Sequence, residues 1–322
     1  MMFLQIIGAL IAFLPLVLAL IYWRADRETL SAAEFRADSG YQTALLSHGV
    51  TAYQSFGPSD GKAVVIVHGG TLGSMAYQGY VPPLVKDGWR VIVYDQYGRG
   101  FSDRPSNKLT IDLMRLQLRD LLEYLQIDKV HLFGVSLGGA IIARFAAEHG
   151  DRVHSLAYQV PAIKGVEPTM ALTLTRLPVL GTFLSRLVGI PAIIARGESF
   201  GTENEEARRV VVHFTSQFKV KGTERMMRDM IIGDALSDRM ADHEKIASGG
   251  MRAQFVYALD DPEIMRADVE AALALYDAPD VHQYTGGHFF STGRTEELSK
   301  KLTAFFRQPQ KGIQPGASAN FK

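Results

Sequence analysis

The chain has no cysteine. That excludes disulfides, a thiol nucleophile and cysteine-ligated metals, and it leaves the compartment open. Net charge is also missing: 34 Lys and Arg balance 34 Asp and Glu over 322 residues, so nothing electrostatic favours a nucleic acid partner. No metal-ligand cluster, phosphate loop or nucleotide fingerprint occurs, and Gly98-Arg99-Gly100 is too short and misplaced for a dinucleotide site. No cofactor is expected. Internal repeats and low-complexity segments are absent as well.

Residues 1–23 contain no charged side chain, and Gln5 is the sole plainly polar one. As a helix this stretch would be about 34 Å long, enough to cross a bilayer core. Tyr22 and Trp23 stand where an interfacial aromatic belt would lie, Arg24 follows at once, and Pro15 is tolerated in membrane spans. A cleaved secretory signal is the competing reading. Against it stand the lack of a basic n-region, the long apolar run and the want of a nearby small-x-small cleavage site. An uncleaved single-pass anchor is the expectation. Arg24, Arg27 and Arg36 follow the span and no charged side chain precedes it, which puts the main domain on the cytoplasmic side.

What is present is ample apolar material, 47% of residues, in a strand-and-helix alternation. Ala63–Val67 and Arg90–Tyr94 are continuous β-branched runs, as in strands buried on both faces. Leu109–Leu125 is an amphipathic helix, and His154–Val160 is a further strand. Thr51–Phe56, before them, reads as an early strand. Residues 161–250 break the rhythm with helical signals, including Asn204–Lys219 with Asn204 as N-cap and Thr223–Leu236. Strand and helix resume at Gln254–Leu259, Arg266–Tyr276, Val281–Tyr284 and Thr295–Phe306. The expected layout is an anchor over 1–23, a charged linker or lead-in helix over 24–40, and one α/β domain over 41–307. That domain carries a mostly parallel sheet, helices on both faces and a helical cap at 161–250, with a flexible tail over 308–322.

The chain is organised around Lys129–Ala143, a short buried strand, a glycine-rich turn and a good helix former, with Ser136 at the apex. A turn tight enough to expose the Ser136 hydroxyl leaves no room for a Cβ at the flanking positions, which are glycines. It also sets the first helical N–H groups beside that hydroxyl. Gly134-Val-Ser136-Leu-Gly138 resembles the nucleophile elbow of the α/β-hydrolase superfamily, and with three further motifs the resemblance spans roughly residues 60–305, minus the insertion. It implies a Ser, acid, His order along the chain. Asp261, in Leu259-Asp260-Asp261-Pro262, matches the family's G-x-x-D-P turn with Ala258 in place of glycine, so Asp260 remains an alternative acid. His288, in Gly286-Gly287-His288, matches the late Gly-His loop. The oxyanion donors implied are the backbone N–H of Leu137 and of Gly70, with Thr71 as runner-up in His68-Gly-Gly-Thr71. His131, His154 and His282 lie in predicted strands and read as core histidines. Asp95-Gln-Tyr-Gly98-Arg-Gly100-Phe-Ser102 resembles a structural loop of the family.

Serine at the elbow separates the chain from epoxide hydrolases and haloalkane dehalogenases of this fold, which carry Asp there. Thr71-Leu72 after His-Gly-Gly differs from the Pro-Gly of prolyl iminopeptidases. The insertion is strongly apolar over 170–190, with Arg176, Arg186 and Arg196 spaced through and just after it. It reads as a lid packed on its pocket or as a segment dipping into the membrane. In this combination the chain resembles membrane-anchored monoacylglycerol-lipase-like esterases, which implies a lipophilic small-molecule ester as substrate. A carbon–carbon bond hydrolase or perhydrolase on the same triad, and a non-catalytic binding protein of this fold, are the alternatives.

Overall fold

The computed structural model describes residues 2–165, 170–198 and 205–309, with all their side chains except those of 2–12, 171 and 206. Helix α1 (Met2–Arg24) leads to a short α2 (Ala32–Arg36), and β1 (Gln42–Leu46) and β2 (Gly49–Phe56) form a hairpin. Strands and helices then alternate: β3 (Ala63–Val67), α3 (Val81–Lys86), β4 (Arg90–Tyr94), α4 (Ile111–Tyr124), β5 (Val130–Val135), α5 (Leu137–Glu148) and β6 (Val153–Gln159). Only helices follow, from α6 (Met170–Thr175), α7 (Pro178–Leu184), α8 (Ile190–Glu198) and α9 (Glu205–Ser216) to α10 (Thr223–Ile232) and α11 (Met240–Ser248). The sheet is completed by β7 (Ala253–Ala258), α12 (Arg266–Leu273), β8 (Asp280–Tyr284) and α13 (Thr295–Arg307).

The strands form one sheet in the order β1-β2-β4-β3-β5-β6-β7-β8, parallel from β4 to β8, with β1 and β2 antiparallel at one edge. β3 and β5 are buried on both faces, so their two-residue period sorts side chains between two layers. Val65 and Val67 pack with Leu118 and Ile141 of α4 and α5, while Val64 and Ile66 pack with Leu84 of α3 and Leu302 of α13. The chain runs outward from β3 to β4 and then doubles back to β5 on the other side of β3. The crevice beyond the carboxyl ends of β3 and β5 is therefore where an open parallel sheet receives a ligand. A third, smaller apolar core of Ile190, Val210, Phe214, Phe218 and Met227 seats the inserted helices on Leu72, in the loop after β3.

Two expectations change. β1 escaped the sequence reading because an edge strand buries only one side chain in two: Ala44 and Leu46 are inside, while Leu45 is 79% exposed. Residues 24–40, read as a linker or lead-in helix, hold α2 and are pinned to the insertion. Thr29 and Leu30 donate backbone N–H to Lys219 O at 2.7 and 2.9 Å, and Glu28 accepts from the Glu224 N–H at 2.8 Å. The expected N-cap Asn204 and nearly all of the C-terminal tail lie outside the described residues.

Of the four buried histidines among the described residues, three carry the largest shifts: His68, His131 and His243. Burial pushes the imidazole of His131 down to about 3 and those of His68 and His243 down to about 4, so all three are neutral in the native state. The unfolded chain takes up protons as pH falls through 6.5, and the native chain resists until about 4, so stability is lost across that window. We expect the melting temperature, followed by circular dichroism, to fall steadily between pH 7 and pH 4.5. A flat profile over that range contradicts the burial argument.

Candidate active site

Ser136 follows β5 and caps α5 with φ +52° and ψ −117°, a conformation that costs a non-glycine residue of order 1–3 kcal/mol. Its neighbours explain why the strain is held. A Cβ on Gly138 would stand 2.0 Å from the carbonyl oxygen of Val67, and one on Gly134 would stand 2.5 Å from that of Gly138. The first turn of α5 is thus pressed against the end of β3. The serine backbone is tied on both sides: its N–H donates to Gln159 O at 2.9 Å, and its carbonyl accepts from Gly139 at 2.9 Å and Ala162 at 3.0 Å. Leu137 is the first residue of α5, where an N–H has no acceptor within the helix.

Asp261 and His288 come together from the loops after β7 and β8, with His288 Nδ1 2.9 Å from Asp261 Oδ2. The other carboxylate oxygen accepts the backbone N–H groups of Glu263 at 2.8 Å and Ile264 at 3.1 Å. The Asp261 side chain is 1% exposed. That burial pushes its carboxyl up, yet the hydrogen bond and charge of His288 and the two N–H donors outweigh it and hold the group below the usual carboxylate range. Nδ1 therefore carries the proton it gives to Asp261, leaving Nε2 as the basic nitrogen. Asp260 does something else. Its oxygens accept the N–H groups of Gly286 at 2.9 Å and Gly287 at 3.1 Å, bracing the loop that carries His288.

The loop after β3 is fixed plane by plane. His68 Nε2 accepts from the Gln96 N–H at 2.9 Å, so its proton sits on Nδ1, which donates to Gly69 O at 2.7 Å. Arg99, 1% exposed, donates Nε–H to Gly70 O at 2.7 Å. In a trans peptide the N–H points opposite to the carbonyl, so His68 sets the direction of the Gly70 N–H and Arg99 that of the Thr71 N–H. Both candidate oxyanion donors belong to a rigid loop. Asp95 supports it from below, accepting from Ser74 and Phe101 N–H groups, each at 2.9 Å.

Ser136, Leu137, His288, Gly69, Gly70 and Thr71 line one cavity of about 230 Å³, whose other walls include Ile193, Met227, Met230, Ile231 and Leu236 from the inserted helices and the stretch after them. Sequence reading missed several lining residues. Tyr80 donates to Gln159 at 2.6 Å and Gln159 to Ser291 at 3.0 Å, a chain without any local motif. Glu263 was legible only as a second carboxylate two residues beyond Asp261. Arg196 was visible as an arginine in an apolar insertion; here its guanidinium pairs with Glu263, with Nε 3.2 Å from Oε1.

The sequence pattern of the alpha/beta hydrolase fold family matches residues 62–193, and solved structures agree over a longer span. The enol-lactonase from Burkholderia xenovorans LB400 superposes with a TM-score of 0.69 over 83% of this chain and 100% of that one, at 17% identity. The chain has the α/β-hydrolase fold. Among curated relatives, a haloalkane dehalogenase of Mycobacterium marinum is 34% identical over 122 residues, 36% of this chain and 41% of that protein. A 2-hydroxy-6-oxononadienedioate/2-hydroxy-6-oxononatrienedioate hydrolase of Comamonas testosteroni is 34% identical over 106 residues, 32% and 37% of the two chains. The matches to these relatives span about two fifths of their length or less. The elbow leaves no room for a larger residue at Gly138. Gly138→Ala should destabilise the protein by roughly 1–3 kcal/mol or prevent folding, because the clash is with backbone rather than a movable side chain. Urea unfolding measures this; a change below about 0.5 kcal/mol contradicts the close approach.

Proposed function

We propose that this protein is a serine hydrolase that cleaves carboxylic esters of lipophilic acyl groups through an acyl-enzyme on Ser136. The observation that carries the reading is the shared cavity: a strained, half-buried serine at the end of β5 opens into the same space as a histidine tied to a buried carboxylate. In the mechanism, His288 Nε2 takes the Ser136 proton as Oγ attacks the ester carbonyl, and Asp261 holds Nδ1–H and stabilises the imidazolium. The N–H groups of Leu137 and Gly70, or Thr71 in place of Gly70, receive the oxyanion. The imidazolium then protonates the departing alcohol, and the same pair activates water to release the acid.

Lipophilic substrates are favoured by the walls of the cavity and by its extension. A second pocket of about 40 Å³ lies on the other side of Ile193 and Ile231, which line both, and is walled by Ile190, Ile232, Ser185 and Arg228, the last donating its guanidinium to Thr175 O at 2.8 Å. An acyl chain attached to Ser136 can run past Ile193 and Ile231 into that space.

Membrane association belongs to the same proposal. Phe13, Leu14, Leu16, Leu20 and Trp23 of α1 are 50–73% exposed, apolar side chains without protein cover, although the described apolar stretch Phe13–Arg24 is by itself shorter than a span. Pro178–Glu198 is apolar enough and long enough to cross a bilayer, yet Ile193 and Arg196 from it line the serine cavity, so it is read as cap. The cap still exposes Met170, Leu177, Val179 and Val188, and Tyr22 stacks on its Phe183 with ring centres 6.0 Å apart. We read α1 as an anchor that sets this apolar face on the bilayer, with the hydrolase domain on the cytoplasmic side. A carbon–carbon bond hydrolase is the second reading, favoured by the Comamonas relative.

Detergent-solubilised protein should cleave monoacyl esters with a preference for long chains. Ile231→Trp, which plugs the extension, should shift the optimum to short chains while leaving short-ester turnover within about threefold. Asp261→Asn should lower kcat by roughly 10⁴. Cleavage of water-soluble short esters alone, or of a vinylogous diketone acid in preference to every ester, contradicts the lipophilic-ester reading.

A further inference from the structure

We propose that Arg196 and Glu263 form a charge clamp beside His288, in which Arg196 keeps the Glu263 carboxylate from pairing with Nε2. Arg196 neutralises a carboxylate lying beside Nε2 and so leaves that nitrogen to accept the Ser136 proton. The proposal rests on His288 being the base of the hydrolase described above.

Glu263 Oε2 lies 3.8 Å from His288 Nε2, on the side of the ring away from Asp261. An uncompensated carboxylate there favours the protonated ring and competes with Ser136 for Nε2. Arg196 prevents this. Its Nε and one terminal nitrogen donate to Oε1 of Glu263, the terminal nitrogen also reaches Oε2, and the second terminal nitrogen donates to Thr71 Oγ1. The guanidinium therefore joins α8 of the cap to the acid loop and to the loop bearing the oxyanion donors. It also lies over the Phe289 ring, 5.4 Å from its centre.

Other groups facing His288 do not substitute for the pair. Asp261 acts on Nδ1, and Asp260 is spent on the N–H groups of Gly286 and Gly287. Arg294 is turned to Thr285 O at 3.1 Å. Tyr77, which lines the cavity, has its hydroxyl pushed up to about 12 by burial and carries no charge. Arg196 and Glu263 thus act through His288 as positioning residues.

The test is the pH dependence of the rate at which Ser136 is phosphorylated by an uncharged organophosphate, diethyl p-nitrophenyl phosphate, in detergent-solubilised full-length protein. Wild type should gain reactivity along one rising limb. Arg196→Ala should move that limb up by about one pH unit, the low end of the range for an opposite charge this close because both side chains are about a third exposed. Glu263→Gln, which removes the carboxylate beside Nε2, should move it down, and the double variant should return within about 0.3 unit of wild type. Opposite shifts with cancellation support the clamp even if one variant folds poorly. Uniform loss of rate at every pH in both single variants, or a double variant that keeps the Arg196→Ala shift, overturns the clamp alone. A wild type that does not react at any pH overturns the hydrolase reading and the clamp with it.

Discussion

The approach of α5 to the carboxyl end of β3 is the contact on which the rest of this molecule depends. No side chain fits between Gly138 and the Val67 carbonyl, and that contact forces Ser136 into its left-handed backbone conformation. The strain survives because the serine is tied at both peptide groups and because Gly139 abuts Pro161, which follows another positive-φ residue, Val160 at +39°. Two adjacent strands end in strained residues, of which Ser136 lines the cavity. Such a pattern is retained where neighbouring structure over-determines it, and it is what raises the hydroxyl out of the sheet.

Around that fixed point the loops at the carboxyl edge are set by buried polar groups rather than by packing. His68, held by Gln96, and Arg99 bond the carbonyls of the Gly69–Thr71 loop, and Asp95 holds the residues that follow it, so its N–H directions are decided before any ligand arrives. Preorganisation of this kind is where an electrostatically catalysed reaction gains most. The cap contributes differently. It closes the cavity with aliphatic side chains, sends Arg196 to the loops below, and is itself tied to the end of α1 by an ion pair between Arg186 and Asp26 at 3.1 Å and by Arg186 over Tyr22 at 4.1 Å. On the proposed reading, the anchor and the substrate entrance are mechanically one unit.

Much of this was legible in the sequence because it depends on local backbone rules. Glycines at 134 and 138 signal a turn without space for Cβ, β-branched runs signal strands buried on both faces, and Asp-Pro and Gly-Gly-His signal loops after late strands. Asp260 and Asp261 could not be separated that way: adjacent residues on one turn point in different directions, and only the fold shows that Asp261 meets His288 while Asp260 holds glycine N–H groups. β1 was hidden by its edge position. Arg196, Glu263, Gln159 and Tyr80 were hidden because each meets its partner across tens of residues of sequence, and nothing local marks a side chain that acts through such a distant contact. The docking of residues 24–40 on the cap is likewise long-range, a bridge between Leu30 and Val220.

The central claim is that Ser136 carries the acyl group during turnover. The most direct measurement is rapid-quench mass spectrometry of the protein during hydrolysis of a long-chain ester, with the Ser136 peptide examined for the mass of the acyl group. The account predicts an acyl adduct on that peptide which forms and decays at rates compatible with turnover. Hydrolysis of the same ester with no adduct at Ser136, or undiminished hydrolysis by Ser136→Ala, would contradict it.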